Sequence, residues 1–285
     1  MFITMIALAA ALAGGTTAAV DHLGSLAEAE RAFARHCVKD GVRASFLVHF
    51  APDGIVLAPA PTNALALYGA RPAPAARPPV TLDWEPVAGD VAASGDLGWT
   101  AGPYTLRDDT GAKPTAHGHY LSVWKRQADA TWKVVADAGT ENPAPSGERP
   151  AFARASSSPS VTGAVAREEV LALDREAGRG CATGDCLAER LDDGARVHRP
   201  GALPIVGASA ARTFLRAQAP RAFEPEGGEA SSAGDLAYTW GRSRATGADG
   251  RADADGVYIH VWRRTPAGWR LQAEIAKPAE PAPKP

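Results

Sequence analysis

The chain is poor in cysteine, in net charge and in long apolar runs, and each shortage excludes something. Three cysteines, Cys37, Cys181 and Cys186, in 285 residues cannot make a disulfide scaffold, and no Cys/His spacing reads as a zinc site. Lysine plus arginine number 30 against 32 aspartates and glutamates. That balance gives no electrostatic reason to bind nucleic acid. Beyond the amino terminus no apolar stretch approaches the ~20 residues that a membrane-spanning helix needs. A P-loop, a dinucleotide fingerprint, a nucleophile elbow and a metal motif are all missing, so the sequence offers no cofactor site. Glycines such as Gly111 and Gly247 sit in turns without the strand–helix context that phosphate binding requires.

One apolar run opens the chain, MFITMIALAAALAGGTTAA. Its small residues after the apolar core have the form of a secretory leader cleaved after Ala19, although no Lys or Arg precedes the core. A buried or anchoring helix is the other reading, but residues 2–13 are short for a bilayer. The expectation is an exported protein, periplasmic or secreted, with no membrane contact beyond the leader. In that compartment Cys181 and Cys186 are close enough in sequence to bridge, or remain two small residues beside a turn. Cys37 falls on an apolar helical face and reads as core.

What is present is a repeat. SGDLGWTAGPYTL, GHYLSVWKR and TWKVVADAG are followed later by AGDLAYTWGRSR, GVYIHVWRR and GWRLQAEIA. Gly95-Asp96-Leu97 matches Gly234-Asp235-Leu236, Gly118, Tyr120, Val123 and Trp124 match Gly256, Tyr258, Val261 and Trp262, and Trp132 matches Trp269. Matches that keep one order at a nearly fixed offset mark a duplicated unit. Each copy holds three segments rich in Val, Tyr, Trp and Thr between turn residues, the pattern of an antiparallel meander. Strand alternation puts Tyr120, Ser122 and Trp124 on one face and His119, Leu121 and Val123 on the other.

Ahead of each meander lies helical sequence. Leu26, Phe33 and Cys37 recur at helical spacing behind Ser25 as N-cap, with Glu28 completing a capping box. Gly41 interrupts before a second short helix that presents Val42, Phe46 and Phe50. REEVLALDREAGRGC begins the second copy, and a constant offset of 140 pairs Glu30 with Val170, Phe33 with Leu173 and Cys37 with Ala177. The organisation is then a leader (1–19), a first domain (20–142), a Pro/Ser-rich linker without apolar period (143–164), a second domain (165–278) and a tail (279–285). RPAPAARPP at 71–79 is too proline-rich for regular structure. Helices first and sheet after make an α+β plan.

This order, with FLVHFAPDG, SGDLGWTAGPY, GHYLSVWKR and TWKVVADAG, resembles the nuclear transport factor 2-like superfamily, and within it the SnoaL-like and ketosteroid-isomerase-like members. The likeness covers about residues 24–142 and, more loosely, 165–278. It implies two cone-shaped domains, each with N-terminal helices packed in a strongly curved antiparallel sheet, whose mouth opens on a mostly apolar pocket. It also implies a small, largely apolar ligand, and pairing through the outer sheet face, which tandem copies can make within one chain. Such cones serve isomerases, cyclases, dehydratases, hydrolases or plain binding, and fold does not choose among them.

Candidate chemistry rests on few residues. Asp137 and its second-copy equivalent Glu274 follow Trp132 and Trp269 by five places on apolar last strands. Buried in a cone, such a carboxylate rises in pKa and becomes a general base; at a solvated strand end it does nothing. Simple alternation sets Asp137 with Lys133 and Val135, opposite Val134. His119 is the other catalytic candidate, against a surface strand histidine. Trp84, Trp99, Tyr104 and Tyr120 are candidate ligand-contacting walls, with core packing as the competing account. Asp96 and Asp235 read as residues that fix their hairpins.

Overall fold

The computed structural model describes residues 21–58, 60–73, 80–108, 114–179, 184–246 and 252–279. The expected leader, most of the proline-rich 71–79 stretch, Cys181 and all but the first residue of the expected tail lie outside them. The first unit runs α1 (His22–His49), β1 (Phe50–Leu57), β2 (Pro61–Asn63), α2 (Ala64–Gly69), β3 (Thr81–Trp84), β4 (Ala88–Val91), β5 (Leu97–Arg107), β6 (Pro114–Arg126) and β7 (Trp132–Glu141). A two-residue strand, β8 (Ala153–Arg154), follows. The second unit then runs α3 (Arg167–Ala177), a 3₁₀ turn (Cys186–Glu189), β9 (Leu191–His198), β10 (Ile205–Val206), α4 (Ala208–Arg216), β11 (Arg221–Ala230), β12 (Leu236–Thr246), β13 (Ala252–Thr265) and β14 (Gly268–Pro278).

α1 contains the expected interruption: Gly41 has φ 84° and ψ 169°, so the helix breaks there and resumes. Asp21 caps its start by accepting from the Gly24 amide at 2.8 Å, four residues before the expected cap at Ser25. The first sheet has the order β2-β1-β7-β6-β5-β4-β8, with β3 also on β5, and the second β10-β9-β14-β13-β12-β11. The second order repeats the first along β2-β1-β7-β6-β5-β4, with β11 standing for both β3 and β4 and with no counterpart of β8 among the described residues. Both sheets depart from the antiparallel expectation, because β1 runs parallel to β7 and β9 parallel to β14, and the first departs again where β8 runs parallel to β4. Helices cover one face of each sheet, so the molecule is α+β with two helix-filled curved sheets.

The other faces of the two sheets pack on each other. Trp99, Leu121 and Val123 of the first unit share one buried cluster with Tyr238, Ile259 and Val261 of the second. Separate clusters lie under α1 and under α3. At the edge of the shared layer the two duplicated turns exchange contacts. Asp96 accepts from the backbone and hydroxyl of Ser232, while Asp235 accepts from the Ala93 amide at 3.0 Å. Gly95 and Gly234 hold φ 67° and 66° in those turns, the left-handed region in which glycine is unstrained. The aspartates expected to fix their own hairpins therefore also join one copy to the other, as equivalent patches do across a two-fold axis.

Buried polar groups lock the same layer. Asp90 on β4 accepts from Arg263 at 2.5 Å and from Gln272 at 2.6 Å, both in the second unit, and from Arg154. Trp99 donates to Gln272 at 2.7 Å. The connecting segment is not the free linker its composition suggests. Ala153–Arg154 adds to the sheet beside β4, Ser156 is buried, and the Phe152 ring lies against Gly89. Its proline and serine content removes helix and sheet propensity without removing contacts. Cys186 is disulfide-bonded and Cys37 is free and buried.

Removing one partner of a buried ion pair leaves the other charge uncompensated, at roughly 3–5 kcal/mol. Asp90→Ala should therefore lower stability by about that amount, with Arg263 stranded, in chemical denaturation followed by tryptophan fluorescence. Asp90→Ala combined with Arg263→Met should recover most of the loss; a double variant as unstable as the single one would contradict this assignment.

Candidate functional site

The first cone is hollow. A cavity of about 390 Å³ lies between α1 and the concave sheet face. Phe33 and Phe46 of α1, Tyr68 of α2 and Leu82 and Trp84 of β3 form its apolar wall. Tyr104, Tyr120, Ser122 and Asp137 line it from β5, β6 and β7. The second unit adds Lys277 from the end of β14. Tyr104 lies flat against glycine: a Cβ on Gly118 would sit 2.2 Å from its ring, and one on Gly139 3.2 Å. This is a physical reason for a glycine at Gly118.

Simple alternation puts Asp137 on the same face as Val135, opposite Val134. The strand does otherwise. The β6–β7 ladder slips between Val123 and Trp124, pairing Ser122 with Asp137, Val123 with Ala136 and Trp124 with Val134. Val135 is the extra residue of this β-bulge. Val135 and Ala136 both belong to the layer between the sheets, whereas Val134 belongs to the helix-side core. A bulge resets the period of two, and Asp137 turns into the cavity. β14 carries the same slip at Gln272, with Val261 on Ala273 and Trp262 on Leu271, which turns Glu274 inward likewise.

Asp137 accepts from the Ser122 hydroxyl at 2.7 Å. Burial pushes its carboxyl up to about 6, against the opposing pull of Ser122 and Lys277. The Tyr120 hydroxyl is buried and has no partner in hydrogen-bond geometry among the described residues, although the Thr100 side chain is near enough to pull on its proton. Burial and the nearby Glu30 and Asp137 carboxylates keep that phenol protonated, well above its usual range. Burial likewise raises Tyr104 to about 12.

Glu30 is the residue that pattern reading passed over. It sits fully buried on α1 and accepts from Trp84 at 2.5 Å, Trp124 at 2.8 Å and the Thr100 hydroxyl. Burial raises it to about 7 in spite of those three donors. An acid on the apolar face of an amphipathic helix was the available signal. The constant offset of 140 hid its counterpart by pairing it with Val170. In the second unit it is Asp174 that accepts from Tyr258, from His260 at 2.7 Å and from Trp262 at 3.2 Å. Trp262 matches Trp124, so Glu30 corresponds to Asp174 and the helices align one turn further along.

Four expected residues meet in this cavity: Asp137, Trp84, Tyr104 and Tyr120. Two do not. Trp99 is fully buried on the opposite sheet face, because its strand position has the outward parity. His119 also points outward, with Nδ1 3.1 Å from the Asn142 side chain, and lines a different cavity. A His119 role in the cone is thereby ruled out. Glu274 is buried, but its place is occupied rather than open. Arg199 donates to it at 2.7 Å and His260, at the position of Ser122, lies 3.5 Å away. Burial opposes it, but these two cations hold Glu274 low. Burial also opposes the charge on His260, yet Asp174 and Glu274 raise the imidazole to about 9.

Because Asp137 binds its proton more tightly folded than unfolded, the folded chain loses stability as pH rises from about 4 to about 6 through this group. A shift of this size corresponds to about 3 kcal/mol. Asp137→Asn should thus be more stable than the parent protein at pH 7.5, and equal to it at pH 4, in thermal melts across that range. An equal difference at both pH values would count against a buried, proton-holding Asp137.

No family model matches the chain, nor does any curated protein. Solved structures do resemble it. An NTF2-like protein from Cytophaga hutchinsonii is 16% identical with a TM-score of 0.32, over 43% of this chain and 99% of that one. ActVI-ORFA from Streptomyces coelicolor is 14% identical with a TM-score of 0.32, over 42% and 96%. A ketosteroid isomerase-like protein from Erwinia carotovora atroseptica is 16% identical with a TM-score of 0.25, over 34% and 81%. Each overlaps less than half of this chain, and NTF2-like proteins are what the chain is similar to.

Proposed function

We propose that the first unit binds a small, largely apolar carbonyl compound and moves a proton on it, as an isomerase, cyclase or dehydratase does. The observation that carries this reading is Asp137, raised to about 6 in a mostly apolar cavity that it shares with the unpartnered Tyr120 hydroxyl. A general base works best with a pKa near the working pH. Above pH 6 the Asp137 carboxylate takes a proton from the carbon beside a carbonyl. The electron pair moves onto the carbonyl oxygen, which accepts a hydrogen bond from Tyr120. Return of the same proton to another carbon regenerates the carboxylate and completes an isomerisation. Tyr104 is the second hydroxyl at hand, since His119 lines the other cavity. The cavity volume is at the small end of the ~300–1,000 Å³ typical of ligand sites.

The second unit takes a different part in this proposal. Glu274 and His260 occupy the positions corresponding to the first unit's Asp137 and Ser122, and Arg199 pairs with Glu274 there, so that unit serves as a support that buries the outer face of the catalytic sheet. We also place the mature protein outside the cytoplasm, in the periplasm or the medium. The apolar leader sequence and the disulfide-bonded Cys186 support that reading, and cell fractionation with amino-terminal sequencing checks it.

The test of the site uses native mass spectrometry for a co-purifying small molecule, and hydrogen–deuterium exchange beside the carbonyl of cyclohexenone-type ketones in D₂O. Exchange should rise with pH through about 6 and fall by ~10²–10⁴ in Asp137→Asn. Tyr120→Phe should lose ~10²–10³ with little change in binding. Ligand retention without exchange in the parent protein would replace catalysis by plain binding; exchange that survives Asp137→Asn would remove the base.

A further inference from the structure

A second cavity, of about 330 Å³, lies where the two units and the connecting segment meet. None of its lining residues belongs to the cone cavity. β6 serves both: Tyr120 lines the cone, and its neighbour His119 lines the junction. The second unit supplies Arg196 and His198 from β9, and the segment 145–150 closes the space with Glu148 and Arg149 among its residues.

Arg196 is the anomaly there. Its Nε is buried without a hydrogen-bond partner, the one such side-chain atom among the described lining residues. No carboxylate pairs with it among the described residues, and Glu148, the one acid in the lining, makes no ion pair with it. Buried charges are normally paired, since an isolated one loses its hydration without return. The two histidines define the rest. His198 lies 2.9 Å through Nδ1 from the Glu274 carbonyl oxygen. That ring nitrogen therefore carries the hydrogen, and Nε2 keeps its lone pair. His119 Nδ1 faces the Asn142 amide; with that amide turned, its nitrogen lies 3.1 Å and its oxygen 3.0 Å from Nδ1, and the oxygen also accepts from the His119 backbone N–H at 3.2 Å. Where the amide nitrogen is the donor to Nδ1, His119 Nε2 carries the hydrogen. The two rings stand 6.4 Å apart, centre to centre.

We propose that this junction is a binding site for a small oxyanion that also bears a hydroxyl, such as a 2-hydroxycarboxylate or hydrogen phosphate. Arg196 and His119 donate to the anionic oxygens, and His198 accepts from the hydroxyl. Guanidinium and oxyanion form the strong, charge-assisted kind of hydrogen bond. The space equals that of about ten waters, enough for an organic acid of a few carbons and too little for a nucleotide. Because residues of both units and of the connecting segment line it, an occupant holds the three together. The proposal is independent of the chemistry assigned to the cone.

The experiment measures thermal midpoints and isothermal titration calorimetry on the full chain with L-lactate, inorganic phosphate and, as a control without the hydroxyl, chloride. Lactate or phosphate should raise the midpoint in a concentration-dependent way, and which of the two binds tighter tells organic acid from phosphate. Arg196→Gln should weaken binding at least about tenfold, the loss expected for a charged hydrogen bond. The same variant without ligand should be as stable as the parent or more so, since it removes a half-buried charge that has no carboxylate partner among the described residues, which separates lost binding from lost folding. His198→Phe should weaken lactate while leaving any chloride response unchanged. No midpoint shift with either oxyanion, or undiminished binding in Arg196→Gln, would overturn the site. Asp137→Asn should bind as the parent does, so failure here and failure of the cone chemistry remain distinguishable.

Discussion

A buried carboxylate on the helix, gripped by hydrogen-bond donors from the sheet, is the interaction on which each unit depends. Glu30 takes the indole N–H of Trp84 and Trp124 and the hydroxyl of Thr100; Asp174 takes the donors of Tyr258, His260 and Trp262. Tryptophan has a donor and no acceptor, so two indoles buried beneath an apolar helix would be left unsatisfied without such an acid. The acid in turn would be stranded in an apolar core without them. The reciprocal need fixes where the helix lies across the sheet, and with it how much space the cone encloses.

Within that frame the two copies diverged by what fills the space. In the first, Ser122 and Asp137 leave room beside six aromatic residues. In the second, histidine stands for serine and Arg199 reaches Glu274, so charge pairing takes up the corresponding position. One copy keeps a proton-holding carboxyl in an apolar hollow; the other keeps an ion cluster. Their outer faces remain matched. The duplicated turns exchange hydrogen bonds, and Asp90 draws Arg263, Gln272 and Arg154 into one buried network.

The pairing of sheets also creates things that neither copy has alone. Lys277 of the second unit reaches the first cavity. The junction cavity assembles His119, His198 and Arg196 from two units that are far apart in sequence. A domain taken singly would display the hollow cone without its neighbouring cation, and would have no junction.

The sequence by itself determined the duplication, the α+β plan, the break at Gly41 and the alternation that carries Tyr120 inward and His119 outward, because these follow from local periods and turn chemistry. It named Asp137, Trp84, Tyr104 and Tyr120, which share one cavity, and it also named Trp99 and His119, which face the other way. Only tertiary structure decided the direction of Asp137, since one unpaired residue at Val135 shifts the parity and leaves no mark in composition. The correspondence of Glu30 with Asp174 was likewise invisible, because a helix can slide by one turn and still bury the same stripe. The junction cavity belongs to the same class, for it exists only where two sheet faces have closed over residues some eighty positions apart, and no local pattern records such a distance.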